Sequence, residues 1–395
     1  MNIQPMSSLL VDSFSGEWGT EDGEVLTRVL RTANFNPDGS LDYTTPAVRC
    51  IPERKVMAKR MLRGDIILEK SGGTPDRPVG IMAYYDSDDV ALCSNFNHVL
   101  RFDSSMVNPF FMFHQLRWLR EKGAFAPYTR KTTGLQNLQM KAFVNLDLHV
   151  PTRRVQDEAA AAIKTIDSQR KSAYSFVSEL NELVKSRFVE MFEHGHDWEL
   201  RTLAECCATS DDIKCGPFGS QLHKEDYISE GVPVWGIPEV NSCFERMPDK
   251  FVSPENGQRL QSYSLVPGDV AMNRKGNVGQ AALFDGSRPS GIIHSDVLRV
   301  RVNRDVLDPA FLVEQLHSSH VVREQIMSAS TGAIMAGTNV TKLKKIKVFV
   351  PPLALQQEFA AFVRQVDKLE FDAPSTNDGF RRLYDSLAWE YFAIE

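Results

Sequence analysis

The sequence has 395 residues, 42% of them hydrophobic and 24% charged, with a formal net charge of −6. That is ordinary for globular protein and leaves room for two or more domains with full cores. No run approaches 18 uninterrupted apolar residues, the start MNIQPMSSLLVDSFSGEWG lacks a basic stretch followed by an apolar run, and the six cysteines are scattered. These features argue against a membrane span, a secretion signal and a disulfide framework, and they fit reduced thiols in a cytoplasm.

In chain order, residues 1–151 read as a mixed module. Short β-rich runs such as DIILEK (65–70) and HVLRF (98–102) alternate with Gly, Pro and Asn punctuation. The stretch VNPFFMFHQL (107–116) comes within one residue of the Asn/Asp-Pro-Pro-Tyr/Phe loop of amino-methylating DNA methyltransferases. FVNLDLHVP then closes the module with a strand. Residues 152–197 read as one long helix. Residues 198–350 repeat the mixed pattern, with VLRVRV (297–302), LDPAFLVEQL (307–316) and a closing KVFVPP. Residues 351–395 read as a second long helix, which Pro374 threatens to break.

The halves match at an offset of 200. Pro109, Phe111, Gln115 and Leu116 pair with Pro309, Phe311, Gln315 and Leu316. Val150-Pro151, Gln156, Asp167, Leu183 and Phe192 pair with Val350-Pro351, Gln356, Asp367, Leu383 and Phe392. With a small slip, Gly64-Asp65 pairs with Gly268-Asp269. The chain therefore reads as an internal duplication. The second copy decides what NPFF is, because DPAF keeps the polar cap and the proline and loses the Pro-Pro. Asn108 and Asp308 read as helix N-caps, with Pro109 and Pro309 in the first turn. No strand–GxGxG–helix unit that could hold a methyl donor accompanies them.

Steps of four and three predict an apolar seam along each long helix. It runs Val155, Ala159, Ala162, Ile166, Gln169, Ala173, Phe176, Leu180, Leu183, Arg187, and in the second copy Leu355, Phe359, Phe362, Val366, Leu369 through Phe380, Leu383 and Leu387. Two such helices in one chain would pack against each other. The helices also hold most of the negative charge. Residues 155–197 are net −3 and residues 355–395 net −4, so the rest is close to neutral. Local basic groups can therefore still attract phosphate.

Two α+β modules separated by long helices resemble the specificity subunit of type I restriction-modification systems. The resemblance covers nearly the whole chain. GDIILEKSGGTPDRPVG carries it in the first half. CGPFGSQLHKEDYISEGVPVWGI, LVPGDVAMNRKGNVGQAAL and STGAIMAGTNVTKLKKIKVFVPPLALQQEF carry it in the second. It implies an α+β fold of two tandem target-recognition domains separated by two long antiparallel coiled-coil helices with a pseudo-two-fold internal duplication. Each domain would read one half of a split site in double-stranded DNA. The helices would set the gap and dock methyltransferase subunits, two of them by symmetry, with a motor-nuclease subunit able to join. The chain itself would be non-catalytic and bind no cofactor; S-adenosylmethionine would sit on the methyltransferase partner. The short lead before the first module leaves two readings: it borrows residues from the C-terminal end, the circular arrangement of this family, or it is a truncated module.

Phosphate anchors and polar side chains on glycine-bearing loops are the expected DNA contacts. In the first half these are Lys70, Ser71, Gly72, Thr74, Arg77, Tyr128, Arg130, Lys131, Thr133, Gln136 and Asn137. In the second they are Gly219, Ser220, Gln221, Lys224, Arg274, Lys275, Asn277, Thr331, Asn339 and Lys342. His194, His196, Cys206, Cys207, Cys215, His223 and Cys243 crowd one region without any CxxC or standard His spacing, so no metal site is expected. The competing readings are a stand-alone DNA adenine methyltransferase working through the NPFF loop, and an orphan DNA-binding scaffold.

Overall fold

The fold is that of a computed structural model, which describes residues 2–22, 25–74, 77–132, 135–193, 197–329, 338–372 and 377–392. The chain divides into two compact units, residues 1–172 with 376–395, and residues 173–375. Among the described residues, no helix is long and apolar enough to cross a membrane.

The first unit holds strands β1 (Ile3–Pro5), β2 (Leu10–Ser15), β3 (Leu26–Leu30), β4 (Ala47–Cys50), β5 (Ile66–Glu69), β6 (Ser71–Gly73), β7 (Met82–Tyr84), β8 (Ala91–Cys93), β9 (Asn97–Phe102), β10 (Thr129–Thr132), β11 (Leu135–Leu138) and β12 (Asp147–His149). An antiparallel sheet of order β2-β9-β5-β7 forms its centre. β5 is buried on both faces. Ile66 and Leu68 point into one core and Ile67 into another, which is why this strand reads as a continuous apolar run. A second sheet, β4-β3-β8, contains the parallel pair β3 and β8. β1 pairs with β12, and β10-β11-β6 forms a small sheet of its own.

The helix Pro109–Glu121 starts where the sequence predicts. Asn108 Oδ1 accepts from the backbone N–H groups of Phe110 and Phe111, at 3.0 and 3.2 Å. The C-terminal helix Asn377–Phe392 belongs to this unit. Its Ala388 and Phe392 are buried in the same core as Phe111, Ala159 and Ile163, with the Phe392 and Phe111 rings 5.1 Å apart.

The second unit holds β13 (Leu200–Thr202), β14 (Ile213–Cys215), β15 (Val232–Trp235), β16 (Phe251–Val252), β17 (Asp269–Asn273), β18 (Ala281–Phe284), β19 (Ile292–Ile293), β20 (Val297–Val300) and β21 (Lys347–Phe349). The same strand orders recur. β14-β20-β17-β18 is the central sheet, β16-β15-β19 contains the parallel pair β15 and β19, and β13 pairs with β21. Asp308 caps the helix Pro309–Ser318 as Asn108 caps its counterpart. Phe188 and Phe192 pack on Phe311 and Phe359, with the Phe192 and Phe311 rings 4.8 Å apart.

Polar locks recur as well. Asp65 and Arg101 form a two-pronged ion pair in the first unit, and so do Asp269 and Arg301 in the second; both aspartates are buried. Gln156 Oε1 accepts from Asn108 N at 2.7 Å, and Gln356 Oε1 accepts from Asp308 N at 2.8 Å. Gln115 and Gln315 donate to the carbonyls of His149 and Phe349.

The long helices depart from expectation in two ways. The first is continuous from Arg153 to Phe188 and then widens into a π-turn at Val189–Glu193. The second is two helices, Leu353–Asp372 and Asn377–Phe392; Pro374 lies outside the described residues. The buried stripe also drifts from the expected seam. Gln156, Ala159, Ile163, Ile166, Ala173, Leu180, Val184 and Phe188 are buried, whereas Phe176, Leu183, Leu369 and Leu383 are exposed. A strict seven-residue repeat demands 3.5 residues per turn, and an α-helix with 3.6 moves its inward face by about 20° per heptad.

Candidate nucleic-acid interface

In the first unit the expected contacts gather at one end of the central sheet. β5 leaves the core at Glu69, and Lys70 follows. Lys70 Nζ donates to Ser15 Oγ at 2.7 Å, which ties the end of β5 to the end of β2. Burial lowers the Lys70 amine below its ordinary pKa. His98, the neighbour of both strands, contacts Ser13 Oγ at 2.8 Å and Ser15 Oγ at 3.4 Å. Burial, and then the Lys70 charge, push its pKa down to about 4. His98 is therefore neutral at physiological pH, and Lys70 carries the charge here.

Directly after Lys70 the chain enters β6. Gly72, with φ at +116°, sits where the register between β6 and β11 shifts, a left-handed position that suits glycine. Arg130 lies opposite Asn137, and Asn137 opposite Ser71. Lys131 lies opposite Gln136. Ser71, Gly72, Arg130, Lys131, Gln136 and Asn137 are thus brought into one sheet from positions sixty residues apart. Thr133 lies outside the described residues.

Four first-half candidates have partners within the unit. Gln136 is buried, and its Oε1 accepts from Val79 N at 3.3 Å. Arg77 Nη2 donates at 2.7 Å to Glu69, whose buried carboxyl is raised in pKa by desolvation. Thr74 Oγ1 accepts from Arg77 N and closes the turn between them. Tyr128 leans on the core, its ring edge-on to Phe143 at 5.7 Å.

The same end of the second unit has the same plan. β14 and β17 are both antiparallel to β20, so their C-terminal ends lie together. Arg274 takes the place of Lys70 there and donates from Nη1 to Cys215 Sγ at 3.0 Å. Lys275 Nζ pairs with Asp296 at 2.7 Å, and His294 N δ1 accepts from Asp296 N at 3.2 Å. Burial lowers the His294 pKa, aided by the charges of Lys250 and Lys275 and opposed by Asp296. Asn277 is exposed in the β17–β18 turn, between Gly276 and Gly279, both at positive φ. After β14, Gly219, Ser220 and Gln221 form an exposed 3-10 turn behind the exposed ring of Phe218, and Lys224 opens the next turn.

Gln221 is partly engaged, its Oε1 accepting from Tyr263 OH at 3.1 Å. Asn339 is a helix cap whose side chain accepts from Lys342 N, and Lys342 Nζ donates to the Ala329 carbonyl at 2.7 Å. Both are engaged within their own unit, as a cap and a tethered lysine. Thr331 lies outside the described residues.

Sequence reading missed the partners of the basic residues: Ser15, Cys215, His98, His294 and Asp296. One signal was available. Gly16 and Gly216 stand at the offset of 200, and a Cβ on either would meet a backbone oxygen, of Cys93 at 2.2 Å or of His294 at 2.3 Å. Among the described residues no group of three His, Cys, Asp or Glu side chains could hold a metal ion. His194 and His196 lie outside them. The NPFF stretch has no freedom to act as a catalytic loop. Asn108 Oδ1 caps its helix, Asn108 Nδ2 donates to Asp157 at 2.7 Å, and the Phe110 ring stacks edge-on against Tyr84.

Comparison with known proteins agrees with this geometry. The type I restriction modification DNA specificity domain matches residues 195–375. A sequence named as the MjaX type I restriction enzyme specificity subunit of Methanocaldococcus jannaschii is 26% identical over 187 residues, 46% of this chain and 42% of that relative. The chain thus spans less than half the length of that relative in the match. The crystal structure of a type I restriction-modification S subunit from M. genitalium aligns over 100% of this chain and 96% of its own, with a TM-score of 0.59 at 15% identity. A chain from a study of complex assembly and conformational transition in a type I restriction-modification system aligns over 99% and 97%, with a TM-score of 0.57 at 18% identity. At those identities the two structures speak for the fold. Residues 195–375 thus match a type I restriction modification DNA specificity domain, and the chain is similar in sequence to specificity subunits of type I restriction-modification systems and shares their fold.

Proposed function

We propose that this chain gives a type I restriction-modification complex its DNA sequence specificity by reading a bipartite target, one half-site with each unit. The observation that carries the reading is the recurrence of one strand order and one set of polar locks in two units, joined by a continuous helix from Arg153 to Phe188. A module that appears twice is suited to two half-sites. A helix of 36 residues, about 54 Å of rise, supplies a stiff spacer of the scale that major-groove faces one turn apart require, about 34 Å.

The two units act as tandem target-recognition domains, and the long helices act as an antiparallel coiled coil. DNA contacts come from Lys70, Ser71, Gly72, Arg130, Lys131 and Asn137 in the first unit. In the second they come from Gly219, Ser220, Lys224, Arg274, Lys275 and Asn277. Two methyltransferase subunits dock on the helices, where Leu183 and Leu383 stand exposed at matched positions. Those partners bring S-adenosylmethionine and methylate adenine, a motor-nuclease subunit joins the same assembly, and the complex works in the cytoplasm.

A methylation map tests this. The chain is expressed in a host lacking such systems, with and without the methyltransferase encoded beside it, and the DNA is sequenced with modification-sensitive reads. A split motif with a fixed gap, present only when both proteins are expressed, is the expected result. Methylation by this chain alone would overturn the proposal.

A further inference from the structure

We infer that the outer face of the small sheet β10-β11-β6 is the base-reading surface of the first unit, with Arg130 directed at a guanine and Asn137 at an adenine of one half-site; this rests on the function proposed above.

The two faces of this sheet have opposite characters. Leu138 and Gln136 are buried on one, Leu138 within the main core of the unit. The alternate residues Arg130, Leu135 and Asn137 point the other way, and Ser71 lies opposite Asn137 on that side. Arg130 and Leu135 are exposed, Asn137 and Ser71 half-buried. The row Arg130–Asn137–Ser71 crosses three strands, about 10 Å at the usual spacing. A β-ribbon of that width fits the major groove, about 12 Å wide.

The occupant follows from charge and from chemistry. Residues 122–146 contain Lys122, Arg130, Lys131 and Lys141 and no acid, within a chain of net charge −6. That favours a polyanion. Among the described residues Arg130 has no ion pair, unlike Arg77, which is held by Glu69. A guanidinium pairs in two-pronged fashion with the O6 and N7 of guanine, and a carboxamide does the same with the N6 and N7 of adenine. The exposed Leu135 on the same face suits a thymine methyl. Lys131, across the strand, is placed for phosphate.

The test uses the full chain with its methyltransferase, carrying R130A, R130K, N137A or K131A, with methylation mapped genome-wide. R130A and R130K should each lower the preference for guanine at one position of one half-site by roughly 10- to 100-fold. N137A should do so for adenine at another position of the same half-site. The other half-site and the gap should stay as they are. K131A should weaken methylation evenly over all sites. If R130A and N137A also weaken it evenly with the motif intact, the row contacts phosphate, and this inference falls while the specificity-subunit reading stands. If they relax both half-sites together, the inference falls too. If the unmutated chain gives no split motif with its partner, both readings fall. Circular dichroism melts of each variant separate these outcomes from misfolding.

Discussion

Replacing Gln356 by methionine tests whether the polar lock between the module and its long helix holds the second unit together. Gln356 is fully buried, and its amide serves three partners. Oε1 accepts from Asp308 N at 2.8 Å, and Nε2 donates to the carbonyls of Pro351 at 2.7 Å and Val306 at 3.1 Å. Methionine has nearly the same length and flexibility, so the loss is of hydrogen bonds rather than volume. Three bonds at about 1 kcal/mol each, plus the penalty of a stranded buried N–H, set the cost at about 3–5 kcal/mol. The counterpart Gln156 has two such bonds, to Asn108 N and the Pro151 carbonyl, so Gln156→Met should cost about 2–3 kcal/mol. Hydrogen exchange followed by mass spectrometry reads the two units separately, in peptides covering β17 and β20 or β5 and β9. Gln356→Met should lower protection chiefly in the former and Gln156→Met chiefly in the latter. Gln356→Glu sharpens the test. It keeps the acceptor for Asp308 N–H but turns an oxygen toward two carbonyls. It should be worse at pH 8 than at pH 5, where the protonated acid regains a donor. A loss under about 1 kcal/mol for Gln356→Met would refute the claim that these bonds fix the module on its helix.

Three further outcomes follow from the same geometry. Burial, with the Asp367 charge adding to it, raises the Glu314 carboxyl from 4.5 to about 7. The folded unit then holds a proton that the unfolded chain releases, so this stability is complete below pH 4.5 and is lost as pH rises to 7. Glu314→Gln should stabilise the protein at pH 8 by at most about 3 kcal/mol and by nothing near pH 4.5; parallel pH profiles of the unfolding midpoint would contradict this. Asn108→Ala removes a cap and should cost about 1 kcal/mol in thermal unfolding while the assembled complex still methylates; abolished methylation in a folded variant would restore NPFF as a catalytic loop. Inserting seven residues beside both Gln169 and Leu369 should change the gap of the methylated motif and leave both half-sites intact, and altered half-site sequences would end the spacer idea.

Much of this fold could be read from local chemistry. The N-caps at Asn108 and Asp308 were visible because a cap, a proline and an apolar helix face all lie within a few residues. The buried strand β5 was visible because side chains that face two cores leave an unbroken apolar run. Gln156 and Gln356 were visible as a matched pair and opaque as a lock, since their partners lie 48 residues away at Asn108 and Asp308. The interface was harder. That Gln136 faces inward while Asn137 faces outward follows from strand pairing with β10 and from a register shift at Gly72. The sequence around 130–137 shows only a mixed run of polar residues. The partner of Arg77 was hidden for a related reason: its charge is answered by Glu69, eight residues upstream and buried, at a distance that only the bend of the chain creates.

The first unit's dependence on the end of the chain has the same origin. In the second unit, Phe188 and Phe192 run directly out of the long helix into the core around Phe311. In the first unit the core around Phe111 is covered by Ala388 and Phe392, which stand in the repeat where Phe188 and Phe192 stand. Tyr384 adds a hydroxyl 3.0 Å from the fully buried His114 Nδ1. Burial holds that imidazole well below its ordinary pKa, with the charges of Arg117 and Arg170 acting in the same direction, so a neutral ring needs a neutral partner there. A segment taken from residues 1–151 would bring the sheets without this cover. The physical first module is therefore closed by residues more than two hundred positions downstream.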